Sequence, residues 1–179
     1  MKYLRYLLYL ILALVLVFFG IGFFIPSISY ENEILVNKPA SESWAVMSDE
    51  SNLPKWITGF KRTELVSGTA NTVGAISNVY VDEGGKEMMM QETIIAMQLY
   101  KHMGMTFTTD FMDMDYNMLF KEKDGKTTIS SKSTTKGNTL FAKSLLFFIQ
   151  STMKAQEDEN LGNLKKLIEE NTKDYFTGK

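Results

Sequence analysis

Two tight reversals constrain this chain more than any other feature. Glu83-Gly84-Gly85-Lys86 and Lys123-Asp124-Gly125-Lys126 hold the Gly-Gly and Asp-Gly centres that two-residue hairpins favour, because primed turns need positive φ at the first central residue and, in type I′, at both. Such a hairpin fixes its register. The first pairs Val81 with Met88, Val79 with Met90, Ser77 with Glu92, Ala75 with Ile94 and Val73 with Ala96, all on one face. The opposite face carries Ile76, Asn78, Tyr80, Asp82, Met89, Gln91, Thr93 and Ile95, a more polar set suited to water. The second pairs Phe120 with Ile129, Met118 with Ser131, Tyr116 with Ser133 and Met114 with Thr135, and turns Asp113, Asp115, Asn117, Lys121, Lys126, Thr128 and Lys132 outward.

The rest of the chain reads around these hairpins. Strands are expected over 30–36, 60–67, 73–83, 86–99, 102–109, 112–123 and 126–136, separated by turn residues. Asn37-Lys38-Pro39 stops the first of them, and Pro39 can open a helix over 40–47, with Trp44 and Met47 on one face. A second short helical turn is expected over 51–56, capped by Ser51 or Asn52, with Pro54 near its start and Gly59 ending it. Leu140 to about Asn171 forms one long helix whose apolar side includes Leu145, Phe148, Ile149, Met153, Leu161, Leu164, Leu167 and Ile168. Residues 174–179 are expected to fray.

No charged side chain occurs from Tyr6 to Tyr30. The stretch from Tyr6 to Ile25 reaches about 30 Å as a helix, the thickness of a bilayer's hydrocarbon core. It therefore reads as a membrane span over residues 6–28 within an anchor of residues 1–29. Lys2 and Arg5 precede it and Glu31 and Glu33 follow, so the positive-inside rule puts the N-terminus in the cytoplasm and residues 30–173 outside it, as a single-pass protein. A cleaved signal peptide is the alternative, with Ser27-Ile28-Ser29 as its small-x-small pattern, although a secretory apolar stretch usually runs only about 7 to 15 residues.

The remaining length suits one domain with its own core. There is no Cys, which removes disulfides and every Cys-based metal or nucleophile scheme, and the single His102 leaves no His-rich metal site. With a net charge of −2 and interspersed signs, no basic stripe exists for nucleic acid. No phosphate-binding or nucleophile-elbow motif occurs, and no cofactor is implied. A monomer is expected.

The inward faces set by the hairpins are rich in Met and small side chains. Flexible thioethers fill irregular gaps and adapt to variable ligands, whereas a tightly packed core prefers branched residues with defined rotamers. Either a cavity or a Met-plugged core follows. The expected cavity wall comprises Trp56, Ser77, Val79, Met88, Met90, Glu92, Ile94, Met105, Phe107, Met114, Tyr116, Met118, Ser131, Ser133 and Phe148.

Three segments carry a family resemblance: Pro-Ala-x-x-x-Trp at Pro39 to Trp44, Leu-Pro-x-Trp at Leu53 to Trp56, and Met-Gln-Glu-Thr-Ile at Met90 to Ile94. Together with the order of strands and the long last helix, the chain from Tyr30 to about Asn171 resembles the START-like (SRPBCC) superfamily of polyketide cyclase/dehydrase-like and Bet v 1-like proteins. The resemblance implies an α+β helix-grip fold, a curved antiparallel sheet wrapped around a long C-terminal helix, with two short helices after the first strand. It also implies a tunnel that holds lipids, sterols, polyketides or other apolar molecules. The N-terminal span departs from the soluble members of that group.

Glu92 is the ionisable side chain that the register aims inward, and burial there would raise its pKa and suit it to proton transfer or to holding a ligand hydroxyl. Solvated or bonded to a hydroxyl, it would be only structural. Tyr116 adds a phenol to the same wall. Trp44 and Trp56 read as packing anchors, His102 as a surface residue, and Lys121-Glu122-Lys123-Asp124 as a solvated hairpin tip. The expected function is a membrane-anchored domain binding a hydrophobic small molecule or lipid. The alternatives are a cyclase, dehydratase or hydrolase using Glu92 and Tyr116 as acid and base, and an envelope interaction protein with no ligand.

Overall fold

The computed structural model describes residues 2–176. Helix α1 (Lys2–Phe24) leads directly into strand β1 (Ser27–Val36), followed by α2 (Ala40–Ser48), a 3-10 turn over Glu50–Asn52 and the short α3 (Leu53–Trp56). Six further strands follow: β2 (Phe60–Ser67), β3 (Ile76–Glu83), β4 (Lys86–Gln98), β5 (His102–Thr108), β6 (Met112–Lys123) and β7 (Lys126–Gly137). Helix α4 (Leu140–Glu169) closes the domain. All seven strands form one antiparallel sheet in the order β1-β7-β6-β5-β4-β3-β2. Helix α4 packs against β1 and β7, giving the expected α+β helix-grip architecture.

Both hairpins have the register that their turns dictate. Val81 faces Met88 and Ser77 faces Glu92, while Phe120 faces Ile129 and Tyr116 faces Ser133. The turns are primed, with φ of 61° and 82° at Gly84 and Gly85, and 53° and 71° at Asp124 and Gly125. At the far end of the first hairpin, the expected pairing of Val73 with Ala96 fails. Val73 lies outside β3 and is exposed, and Ala96 faces Gly104 instead. A bulge between Ile94 and Ala96 inserts a residue, which turns Ala96 outward beside Gly104 and aims Met97 at the core.

The core sits where α4 crosses β7 and β6. Leu161, Leu164 and Ile168 are fully buried against Val36, Met118, Phe120 and Ile129, with Trp44 closing one side at 5.2 Å from the Phe120 ring. Thr139 caps α4, its hydroxyl accepting from the Ala142 N–H at 3.1 Å.

Some local features differ from expectation. Asp49, rather than Ser51 or Asn52, accepts the first-turn N–H of the 3-10 segment, at 3.0 Å from Ser51 N; Asn52 precedes α3 but its side chain caps nothing. Glu122 leaves the hairpin tip and accepts from the Ala40 N–H at 2.8 Å, a contact between elements that local sequence does not reveal. In the tail, the Tyr175 hydroxyl donates to Asp49 at 3.0 Å and accepts from the Asn52 amide at 3.1 Å. The last three residues of the tail, 177–179, lie outside the described residues.

Helix α1 is long and apolar enough to cross a membrane, with a mean hydropathy of 2.8 over its best window, and most of it is exposed. Its last turns pack on α4. A Cβ on Gly22 would stand 2.6 Å from Ser144 N and 2.7 Å from Leu140 O, so glycine is what permits this approach. The Phe18 ring stacks on Phe148 at 5.9 Å and lies 5.7 Å from Phe141. Strand β1 begins at Ser27, three residues before the expected boundary at Tyr30, and Ile28 is buried.

Candidate functional site

A cavity of about 450 Å³ opens between the sheet, α3 and the middle of α4. Strand alternation brings its wall together: Ser77 and Val79 from β3, Met90, Glu92 and Ile94 from β4, Met105 and Phe107 from β5, and Met114, Tyr116 and Met118 from β6. Trp56 joins them from α3. These residues are distant in sequence and share a site because the strands are in register.

Four expected wall residues lie elsewhere. Met88 is half-buried near the hairpin tip and does not line the cavity, although Val81 opposite it does. Ser131 and Ser133 point inward but are buried in β7, the strand that α4 covers. Phe148 is 53% exposed on α4 and stacks on α1. Its place on the helix belongs to the turns that meet α1, whereas the cavity is lined by Glu157 and Asn160 further along.

Glu157 is the principal residue that the sequence reading missed. It lies four residues after Met153 and four before Leu161, on the apolar side of α4, so a charge interrupting that stripe was the available signal. Its Oε1 accepts from the Tyr116 hydroxyl at 2.7 Å. Burial pushes the Glu157 carboxyl above its usual range, against the opposing pull of Tyr116 and Ser131. The Tyr116 phenol is also raised well above its ordinary value, by burial first and then by the Glu157 charge. Tyr30, another unforeseen wall residue, has a phenol raised chiefly by burial.

Glu92 is different. It is largely buried, and among the described residues it has no hydrogen-bond or ion-pair partner; burial alone raises its pKa. It faces Phe107, whereas Tyr116 faces Met105, so two strand spacings, about 10 Å, and one inward step separate the two. They form no acid–base pair. The bonded pair is Tyr116 with Glu157.

The indole N–H of Trp56 is also buried without a partner. Trp44 stays away from the cavity and packs edge-on to Tyr100. His102 lies on the outer face, its Nε2 2.9 Å from the Asn117 amide oxygen.

Residues 27–169 match the family model described as polyketide cyclase / dehydrase and lipid transport. The chain belongs to this family. The matched segment begins at the first residue of β1 and ends at the last of α4, so the family domain is the whole sheet-and-helix unit without α1. Among solved structures, the family fold recurs in the aromatase/cyclase Zhui from Streptomyces sp. R1128, with a TM-score of 0.69 and 12% identity over 82% of this chain and 96% of that one. Ara h 8.0201 has a TM-score of 0.66 and 17% identity over 81% of this chain and 99% of that one. One half of the di-domain aromatase/cyclase BexL, from the BE-7585A biosynthetic pathway, also aligns, with a TM-score of 0.65 and 16% identity over 82% of this chain and 51% of that one. At these identities the likeness is one of fold. A search of curated protein sequences finds no match.

Proposed function

We propose that this protein is a membrane-anchored binding module that takes an apolar small molecule or lipid into the cavity between its sheet and α4. The cavity carries the reading. Its volume falls within the range of about 300 to 1,000 Å³ usual for small-molecule sites, and its wall combines Met and aromatic side chains with a few polar groups. Anchoring suits such a ligand, because a poorly soluble molecule is concentrated at the bilayer. The test is native mass spectrometry of the full chain extracted in mild detergent. A stoichiometric adduct should be present, and it should vanish in Ser77→Phe, which fills the cavity, while circular dichroism stays unchanged. Empty spectra from several hosts would count against the reading.

We also propose that α1 is retained, with the N-terminus cytoplasmic and the domain outside. Cleavage after Ser29 would remove Ser27, Ile28 and Ser29, which pair with Lys136, Thr135 and Thr134 of β7, and would delete the buried Ile28. Retention also keeps the Gly22–Ser144 contact. Intact-mass analysis of the membrane fraction should find residues 1–29 still attached.

The Tyr116–Glu157 bond favours one second reading, proton-transfer catalysis through that pair. A Glu157→Gln variant that keeps its ligand but loses turnover of a candidate substrate would support it, and unchanged turnover would end it.

A further inference from the structure

The charge on the cavity wall is one-sided. Three carboxyl side chains, Glu50, Glu92 and Glu157, line it, and among the described residues no Lys, Arg or His does. Glu50 is exposed, Glu157 is already bonded to Tyr116, and Glu92 lies largely buried with no partner among the described residues. Buried polar groups are normally hydrogen-bonded, and a carboxyl that lacks both donor and cation is the kind of group a ligand can satisfy. We propose that the cavity selects amphiphiles whose polar end donates hydrogen bonds, an amine or an alcohol, and rejects those ending in a carboxylate or phosphate.

The inference rests on the reading of this cavity as a ligand site and specifies its chemistry. A carboxylate or phosphate entering the hollow meets like charge with no cation to offset it, in surroundings where apolar walls weaken screening. An ammonium meets the reverse. It supplies the counter-charge that Glu92 lacks, and a charge-assisted hydrogen bond of this kind is roughly twice as strong as a neutral one. A hydroxyl can donate to Glu92 whether or not that carboxyl is ionised. The exposed Glu50 extends the same bias to the approach.

Three photoreactive probes separate the cases: dodecylamine, dodecanol and dodecanoic acid, each carrying a chain diazirine, added at pH 8 to the full chain in phosphatidylcholine nanodiscs. Labelling of peptides bearing Met90 and Met105 is divided by labelling of α1 peptides, which corrects for partition of each probe into the bilayer. The amine and alcohol ratios should exceed the acid ratio at least tenfold. In the Glu92→Gln/Glu157→Gln double variant, the amine and acid ratios should come within threefold of each other. Wild-type labelling by the acid within threefold of the alcohol would overturn the proposal; so would an amine–acid gap unchanged in the double variant, provided circular dichroism shows that variant folded. If none of the probes labels the cavity above the Ser77→Phe background, the cavity is no ligand site and both readings fall together.

Discussion

The two sides of the sheet are built from similar strands but packed to different ends. In β7 every inward position from Thr127 to Gly137 is buried, and α4 lies against this side and β1. In β2 no residue is buried, in β3 only Val79 and in β4 only Ile94. The difference follows from side-chain size and from where the helix lies. Small inward residues, Ser131, Ser133 and Thr135, let α4 settle close to β7, and Leu161, Leu164 and Ile168 fill what remains. On the other side α3 and the middle of α4 border the strands without filling the space above them, and long flexible side chains such as Met90 and Met105 line the hollow that remains. One side of the molecule thus supplies stability and the other supplies room.

That contrast predicts an unequal response to truncation. Leu164→Ala, in the filled half, should cost about 3 kcal/mol, the usual range for a buried Leu being about 2–5. Met90→Ala, on the wall of the hollow, should cost about 1 kcal/mol or less, because it deletes atoms already beside empty space and enlarges a cavity instead of creating one. Urea denaturation of both variants measures the pair. Equal losses would show that the hollow is packed as tightly as the core.

The same division explains what the sequence could reveal. Hairpin register depends on two adjacent residues, so the inward set of β3, β4, β6 and β7 was legible from Gly84-Gly85 and Asp124-Gly125. Whether an inward residue borders space or helix depends on where α4 crosses, which no local pattern fixes. Hence Ser131 and Ser133, read as cavity wall, lie under the helix, and Phe148 packs on α1. Glu157 was missed for the same reason: the expected wall took Phe148 from the long helix, whereas the part of α4 that reaches the cavity is the later turn carrying Glu157 and Asn160. The bulge at Ile94 was hidden because nothing in Ile94-Ile95-Ala96 signals an extra residue.

The next largest effect should arise where the two halves meet, at Tyr116 and Glu157. Tyr116→Phe removes the donor to a largely buried carboxyl and should cost about 1–3 kcal/mol at neutral pH. Glu157 has a folded pKa above its ordinary 4.5, so the folded state holds the proton more tightly than the unfolded state. Its stabilising contribution is therefore complete below 4.5 and is lost as pH rises through the folded value. Tyr116→Phe disfavours the ionised form further. The gap between wild type and variant should widen from pH 4 to pH 8 in paired denaturation curves, and a constant gap would show that the phenol does not hold the carboxylate.

A smaller loss, about 1 kcal/mol, is expected for Thr139→Ala, which removes the hydroxyl capping α4. Because the cap belongs to the helix and not to the cavity, ligand retention should be unchanged while the denaturation midpoint falls. Loss of ligand in this variant would mean that the hollow depends on how α4 is seated.

The smallest effect, and the sharpest for the open half, belongs to Glu92→Gln. Burial alone raises the Glu92 pKa, so wild type should lose stability as pH climbs from the unfolded carboxyl value through the folded one. Glutamine keeps the shape and abolishes the titration, so the variant should match wild type near pH 4 and exceed it slightly at pH 8, by less than the Thr139→Ala loss. The direction is opposite to that of Tyr116→Phe, although both changes touch a raised carboxyl, because among the described residues Glu92 has no bond to forfeit and Glu157 does. A Glu92→Gln variant less stable than wild type at pH 8 would mean that the carboxylate already has a partner in the empty cavity, and the hollow half would then be better satisfied than its geometry indicates.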